Sequence, residues 1–470
     1  MPAVAERPGR AEVPGPRHAR GPGRRSAVAA LVLALAASGC SGGPESTGPR
    51  PAALPATPAA TGGATATAPS GPEGSRRAAE LQQLLDERAA AVLAGDEAGV
   101  LATTDPAAGA FRERQVRTVR GLARVPLASW SYEVVGEGPP LGQERRAELG
   151  ADAWVADVVL SYRVEGVDPV DQQRPRSLTA VRRDGRWLLA DDADGPGRPD
   201  LWDLGLVDVV QGRRTLVVGT AARPVLEQQA ALGDAAAERV DAVWGTGWPR
   251  RTVVLVPADQ SQLARLLGRD DESGLEQVAA LTTGADRSSG APGAAGAVDR
   301  VLVNPAGLAV LGELGVRVVL AHETTHVAVR AGAATDPPLW LSEGLAELVA
   351  WSGDPDLPPR TVPEELLAAV RAGRGPAALP TAADFDTAAG DVAPAYASAW
   401  LAVRGVEQRH GREALLELVR ASAGRAPGGG AGGGVAPLPQ DEAVRRVLGV
   451  EPAELEAAWR ADLAAAAGAG

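Results

Sequence analysis

Two of the chain's four histidines, His322 and His326, stand four positions apart in "VVLAHETTHVAVRAG" (residues 318–332), with Glu323 directly after the first. On a helix that spacing puts both imidazoles on one face with Cβ atoms roughly 5 to 6 Å apart, so two ring nitrogens can share one ion at about 2.0 to 2.1 Å. Glu323 falls about 100° round the helix from His322, off the ligand face but within reach of a water on that ion, which is where a general base belongs. The pattern is His-Glu-x-x-His, in which two histidines hold zinc and the glutamate moves the proton. The competing expectation is a pair of core histidines hydrogen-bonded to neighbours. Three ionisable groups on a buried helix need something to satisfy them, and this favours the metal.

A catalytic zinc takes three protein ligands and leaves its fourth position to water. The segment "DPPLWLSEGLAELVAWSG" (336–353) supplies candidates for the third. Glu343 and Glu347 share one helix face, so one can bind metal while the other orients a histidine from outside the ligand set. Glu347 as a solvated surface residue is the plain alternative. Ser342 or a neighbour would cap this helix after Pro337 and Pro338, and Gly353 would close it.

His322-Glu323-x-x-His326 followed by Trp340-Leu341-Ser342-Glu343-Gly344-Leu345-Ala346-Glu347 resembles the gluzincin branch of zinc metallopeptidases, specifically the bacterial peptidase-MA-like domains. The resemblance implies zinc (Zn2+) as cofactor, Glu343 as third ligand and Glu347 as the acid outside the ligand set. It also implies that Tyr396, in "APAYASAWLAVRGVEQRHG" (393–411), aids a tetrahedral intermediate; Tyr396 as an ordinary packing residue is the alternative. The chemistry implied is peptide-bond hydrolysis: a water whose pKa zinc lowers to about 7 loses its proton to Glu323, which returns it to the leaving amine. A second expectation is a catalytically weak relative that keeps the metal and serves as a cell-envelope binding or scaffold protein. A zinc used only structurally is a third.

These residues need elements to carry them. Val318, Val319, Leu320, Ala321, Val327, Ala328 and Val329 make the histidine helix apolar on nearly every side, as suits a core helix, and Arg330 with Gly332 suits its C-terminal end. "TLVVG" (215–219), "TVVLVP" (252–257) and "RVLVNP" (300–305) read as strands of a small sheet backed by helices, the last a candidate edge for pairing with a substrate peptide. Asn304, the chain's only asparagine, suits a turn before Pro305 at least as well as substrate contact. Helices are expected over 363–372, 394–410, 412–421 and 451–466, with His410 an ordinary C-terminal helix residue. The Gly-rich run "RAPGGGAGGGVAPLP" (425–439) interrupts them. No strand precedes it and no GK[ST] follows, so it carries no phosphate-binding meaning.

Residues 76–195 read as a separate unit. Helical periodicity runs from Ala79 to Leu93, then strands appear in "SWSYEVV" (129–135) and "AWVADVVLSYRVEG" (153–166), with Asp184-Gly185 as a hairpin turn. A long helix before a curved antiparallel sheet resembles the nuclear-transport-factor-like, cystatin-related cone fold. Trp130, Trp154 and Trp187 read as core, and nothing in this stretch groups for catalysis; its expected role is to position the peptidase or bind a partner. The chain is therefore expected to be α+β: a cone-shaped accessory domain over 76–195, then a gluzincin-type domain over 200–466 with a small sheet, a zinc helix and a helical C-terminal part.

Upstream, "SAVAALVLALAASGC" (26–40) follows Arg17, Arg20, Arg24 and Arg25. A basic region, a short apolar core and small residues before Cys40 resemble a signal peptide with a bacterial lipobox, although Ala37 stands where leucine is commoner. The apolar run falls short of the roughly 20 residues that a spanning helix needs. Cys40 is the only cysteine, so no intrachain disulfide is possible, and lipidation would use it up. His18 falls in the leader. Residues 41–75, rich in Pro, Ala, Thr and Gly, cannot build a core and read as a disordered tether. The expected location is exported, anchored by lipid to the outer face of the bacterial cytoplasmic membrane. Net charge is −12; the first 39 residues contribute +4 and the rest therefore −16, which argues against a nucleic-acid partner. Lysine and isoleucine are absent, a composition typical of high-GC bacterial genomes.

Overall fold

The structure, a computed structural model, describes residues 71–150, 152–275, 278–283, 298–386, 390–425 and 435–468. His18, the expected leader with Cys40, most of the expected tether and the centre of the Gly-rich run lie outside them.

The first helix, α1 (Gly71–Ala94), starts inside the segment expected to be tether. Pro72 falls in its first turn, where a missing N–H costs nothing, and Glu73 suits the positive end of the helix dipole. Two further helices, α2 (Glu97–Ala102) and α3 (Gly109–Leu122), precede β1 (Leu127–Glu137), and α4 (Gln143–Leu149) lies between β1 and β2 (Ala153–Val164). With β3 (Gln172–Arg183) and β4 (Arg186–Asp191) these strands form an antiparallel sheet in sequential order. Asp184 and Gly185 both take positive φ, 50° and 82°, the backbone that a two-residue hairpin with native twist requires. Along β2, Trp154, Ala156, Val158, Leu160, Tyr162 and Val164 are buried, so the period of two read from sequence is the period of the sheet. Leu81, Leu84 and Leu85 of α1 pack on that face together with Trp154 and Trp187.

After α5 (Leu201–Leu204) comes a second sheet of β5 (Asp208–Gln211), β6 (Thr215–Gly219), β7 (Thr252–Val256), β8 (Ala280–Thr283) and β9 (Arg300–Val303). The helices α6 (Arg223–Trp244) and α7 (Gln260–Leu266) lie between its strands in sequence. Its order is β5-β6-β7-β9-β8, parallel across β6, β7 and β9 and antiparallel at both edges. The strand expected at the edge, β9, is therefore interior. The edge is β8, a four-residue strand too short to announce itself by alternation. The fold as a whole is α+β.

Both faces of the second sheet are covered. On one, Val217, Val254, Val301 and Val303 join a core with α6 and α8 (Pro305–Arg330). On the other, Leu216, Val218 and Val253 pack with Val92, Val125, Trp130 and Tyr162 of the N-terminal unit and with Trp202 of α5. Strands buried on both sides read as unbroken apolar runs, which is why "TLVVG" shows no alternation. The two sheets are separate, but one apolar layer belongs to both.

Asn304 caps α8, its Oδ1 accepting from Ala306 N while Nδ2 donates to the carbonyls of Leu275 and Val278, so it is structural and fully buried. A break at Gly312 divides α8; from Val316 to Val329 nearly every residue is buried. This helix is long and apolar enough to cross a membrane by length and composition, but its ionisable residues and its packing mark it as a core helix. Next comes α9 (Leu339–Ala350), whose N-cap is Pro338; Ser342, the expected cap, sits inside the helix with its hydroxyl turned to a histidine. The helical remainder is α10 (Glu364–Arg371), a 3-10 turn (Ala382–Phe385), α11 (Ala393–His410), α12 (Arg412–Ser422), α13 (Gln440–Ala443) running on into a π turn, and α14 (Pro452–Gly468). A Cβ at Gly344 would meet the Ala399 carbonyl oxygen at 2.4 Å, so only glycine lets α9 lie this close to α11.

Leu216, Val218 and Val253 are each worth roughly 1.5–3 kcal/mol of burial, together comparable with the 5–15 kcal/mol that holds a domain folded. A fragment starting at residue 200 is expected to aggregate or bind a hydrophobic dye. It should show no cooperative thermal transition by circular dichroism where the full chain shows one.

Candidate metal centre

The second segment of α8 carries His322, Glu323 and His326, and α9 crosses it with Glu343; none of the four is more than 1 % exposed. His322 Nε2 lies 3.0 Å from His326 Nε2 and 3.1 Å from Glu343 Oε2, and His326 Nε2 lies 3.4 Å from the same oxygen. Four donors set tetrahedrally at about 2.0–2.1 Å from an ion stand about 3.3 Å apart, so these three atoms outline one face of such a tetrahedron. Glu343 Oε1 and Glu323 Oε1 are buried with no hydrogen-bond partner among the described residues. A buried donor set that its own side chains leave incompletely bonded fits a cation. His322, His326 and Glu343 thus form a buried group able to hold a metal ion.

Each imidazole is braced on its far nitrogen. Ser342 Oγ lies 3.3 Å from His326 Nδ1. Glu347 Oε1 lies 3.3 Å from His322 Nδ1, an ion-pair approach rather than an aligned hydrogen bond, and its other oxygen is 2.6 Å from Arg360 Nε. Arg360 in turn lies over the rings of Trp351 and Trp400 at 5.5 and 5.4 Å. Such contacts orient the rings and leave both Nε2 atoms facing inward. Glu347, only 2 % exposed, is no surface residue. Tyr396 of α11 is buried, with its ring 6.0 Å from that of His322 and 5.1 Å from that of Phe385. His410 is in the last turn of α11, away from this group in sequence and without a role here.

Glu323 is tied to the sheet through one of its two oxygens. Its Oε2 accepts a hydrogen bond from Thr282 Oγ1 of β8 at 2.6 Å.

Burial would depress the His322 imidazolium, but Glu343 and Glu347 outweigh that and raise its pKa from 6.5 to about 10. Burial would raise the Glu343 carboxyl, yet the His326 and His322 rings hold it down at about 2. Glu347 is likewise pushed up by burial and brought below its usual value chiefly by Arg360. In the metal-free protein the pair therefore holds one proton between His322 and Glu343.

No model of a known protein family matches this chain, and no curated protein matches it either.

The sequence reading missed Thr282, Arg360 and the inward role of Ser342. Thr282 and Arg360 reach the site from segments outside the two helices, where no helical spacing ties them to the histidines. Ser342 has the residue type of a cap, and its role inside the helix depends on a contact with another helix.

The sign of the pH dependence follows from these shifts. With His322 raised from 6.5 to about 10, its contribution to stability is full below pH 6.5 and is lost as pH rises through about 10. With Glu343 lowered from 4.5 to about 2, its contribution is present above pH 4.5 and lost as pH falls through about 2. Metal must displace the His322 proton, so affinity for Zn2+ should rise about tenfold per pH unit through the window from 6.5 towards 10. Chelator competition measures this, and thermal melts of the metal-free protein should decline over the same window. Arg360→Met removes the cation behind Glu347, and metal affinity is expected to fall about 10- to 100-fold with the ligands untouched.

Proposed function

We propose that the protein is an extracytoplasmic zinc-dependent peptidase with a gluzincin-type second domain. The observation that carries this reading is the triangle of His322 Nε2, His326 Nε2 and Glu343 Oε2 with a free carboxylate oxygen on the adjacent residue, Glu323. Two imidazoles and one carboxylate suit zinc better than harder cations. Zinc held there would act as a Lewis acid on a carbonyl and bring the pKa of a water down to about 7.

The chain's own residues supply the rest. Glu323 Oε1 takes the proton of the attacking water and returns it to the leaving amine, while Thr282 holds Oε2. Glu347 and Ser342 keep the imidazoles aimed, and α8, α9 and α11 exclude bulk water, which strengthens every charge interaction inside. Tyr396, packed against His322 and Phe385, would donate its hydroxyl to the developing oxyanion. A substrate peptide would pair by backbone hydrogen bonds with the outer edge of β8, the strand that carries Thr282. The leader resemblance adds export and a lipid on Cys40, with the folded part tethered to the outer face of the cytoplasmic membrane.

A second reading is supported by the near-complete burial of all four residues. In it the protein keeps a closed metal centre and works as a cell-envelope binding or scaffold lipoprotein. One set of measurements separates the two. The zinc-loaded full chain is offered a broad peptide library; cleavage is expected. Glu323→Gln should keep one zinc per chain and lose about 100- to 10,000-fold in rate, while His326→Ala should lose both zinc and activity. A wild-type protein that holds zinc and cleaves no peptide sinks the peptidase reading in favour of the second.

A further inference from the structure

Among the described residues, the hydrogen-bond donor on the Glu323 carboxylate comes from the sheet: Thr282 Oγ1 lies 2.6 Å from Oε2 and, more distantly, 3.1 Å from the main-chain carbonyl of the same residue, and both residues are buried. A carboxylate kept from water is both costly and mobile in its rotamer unless a donor fixes it. The donor's own place is set by β8, which is only four residues long and pairs on one side with β9, Thr282 opposite Val301 and Thr283 opposite Arg300. A strand that short has little stability of its own, so β9 must hold it.

What holds β9 comes partly from the N-terminal unit. Arg300, with its side chain 3 % exposed, lies across the boundary from Asp168, fully buried, at 2.6 Å between Nη2 and Oδ2. The same Asp168 oxygen accepts from Val164 N, which ties it to the end of β2. Gln172, the first residue of β3, donates to the Val298 carbonyl at 3.2 Å, and Arg300 Nη1 donates to that carbonyl at 3.1 Å. On the other side, Arg330 of the histidine helix reaches the Thr282 carbonyl at 3.5 Å. The strand pair is thus gripped by the N-terminal unit on one face and meets α8 on the other.

We infer that Thr282 is the positioning residue of Glu323, and that the N-terminal unit sets its place through the Asp168–Arg300 clamp on β9. This rests on the hydrolytic reading for its effect on rate, but the contact itself is testable without any activity. It gives residues 76–195 a role in the reaction: they hold the strand that aims the base.

The contact is tested by a double-mutant cycle in the full chain. Thr282→Val keeps the shape and removes the donor, and it should lower the melting temperature of the wild type by about 3 °C and that of Glu323→Leu, where the hydroxyl keeps only the backbone carbonyl of residue 323, by about 1 °C or less. Equal shifts in both backgrounds overturn the contact. The rate is tested on a peptide that the wild type cleaves. Thr282→Val should lower kcat about 10- to 100-fold with KM and zinc content unchanged, and Thr282→Ser, which restores the donor, should return to within about threefold. A Val variant with wild-type kcat, or a Ser variant no better than Val, overturns positioning. Arg300→Met should lower kcat in protein that carries Thr282 and have no further effect beside Thr282→Val; independent, multiplying losses overturn the clamp. Should Arg300→Met fail to fold, Gln172→Leu serves in the same comparison. A zinc-loaded wild type that cleaves nothing sinks the hydrolytic reading, and the melting cycle still decides the contact.

Discussion

A cluster of imidazoles and carboxylates sealed from water has to balance its own charge, and much of the second domain is arranged around that requirement. Glu323, Glu343 and Glu347 bring three negative charges, and Arg360 brings one positive. Arg330, one turn beyond His326, is already matched by Asp299 at 3.6 Å and Asp336 at 3.1 Å. A single proton on His322 leaves the group at −1; a divalent cation between two neutral imidazoles brings it to zero. An uncompensated buried ion costs several kcal/mol, so a divalent cation, were one held here, would balance the group better than the proton does. The surroundings agree. Arg360 keeps its charge near the site by lying against Trp351 and Trp400 rather than in solvent, and its partner Glu347 braces His322 from behind.

That balance depends on helices held at fixed separation, and the sheet supplies the reference. With α6 and α8 on one face of the second sheet and the N-terminal unit on the other, the strands are buried twice over. The N-terminal unit is therefore part of the scaffold of the metal centre. Its antiparallel sheet and α1 have a core of their own, built on Trp154, Trp187 and three leucines of α1, but Trp130, Tyr162 and Trp202 belong to the shared layer. Of the tryptophans expected to be core, Trp154 and Trp187 stabilise the unit itself, and Trp130 stabilises its union with the second sheet.

What was legible in the sequence is what local spacing encodes. His322, Glu323 and His326 announce themselves because one helix face carries them, and β2, β6, β7 and the longer helices because a period of 2 or 3.6, or an unbroken apolar run, survives over enough residues to be seen. The edges β5 and β8 have four residues each, too few for a period, and α2 and α3 lie in a stretch whose apolar positions are sparse. Missing β8 is what turned β9 into an expected edge. Contacts between distant segments leave no trace in spacing: Asp168 with Arg300, Thr282 with Glu323 and Arg360 with Glu347 are each clear in space and silent in sequence. The start of α1 at Gly71 was masked by composition, since a Pro, Gly and Ser context reads as tether even where a helix begins.

The number of donors bears on what a metal held at this group would do. A structural zinc closes its coordination with four protein ligands, and catalytic sites stop at three. Among the described residues the converging group has three members, His322, His326 and Glu343. Glu347, the nearest further carboxylate, is turned to the outer nitrogen of His322 and spent on Arg360, so it is no fourth ligand. Among the described residues Glu323 is a further acid beside the group, and Thr282 draws one of its oxygens towards the sheet while the other accepts from none of them. A purely structural centre has no use for a carboxylate beside its ligands, buried at the cost of desolvation and given only one donor. Under the proposed reading that arrangement has a physical purpose, since a proton is to be moved at the oxygen that no described residue bonds.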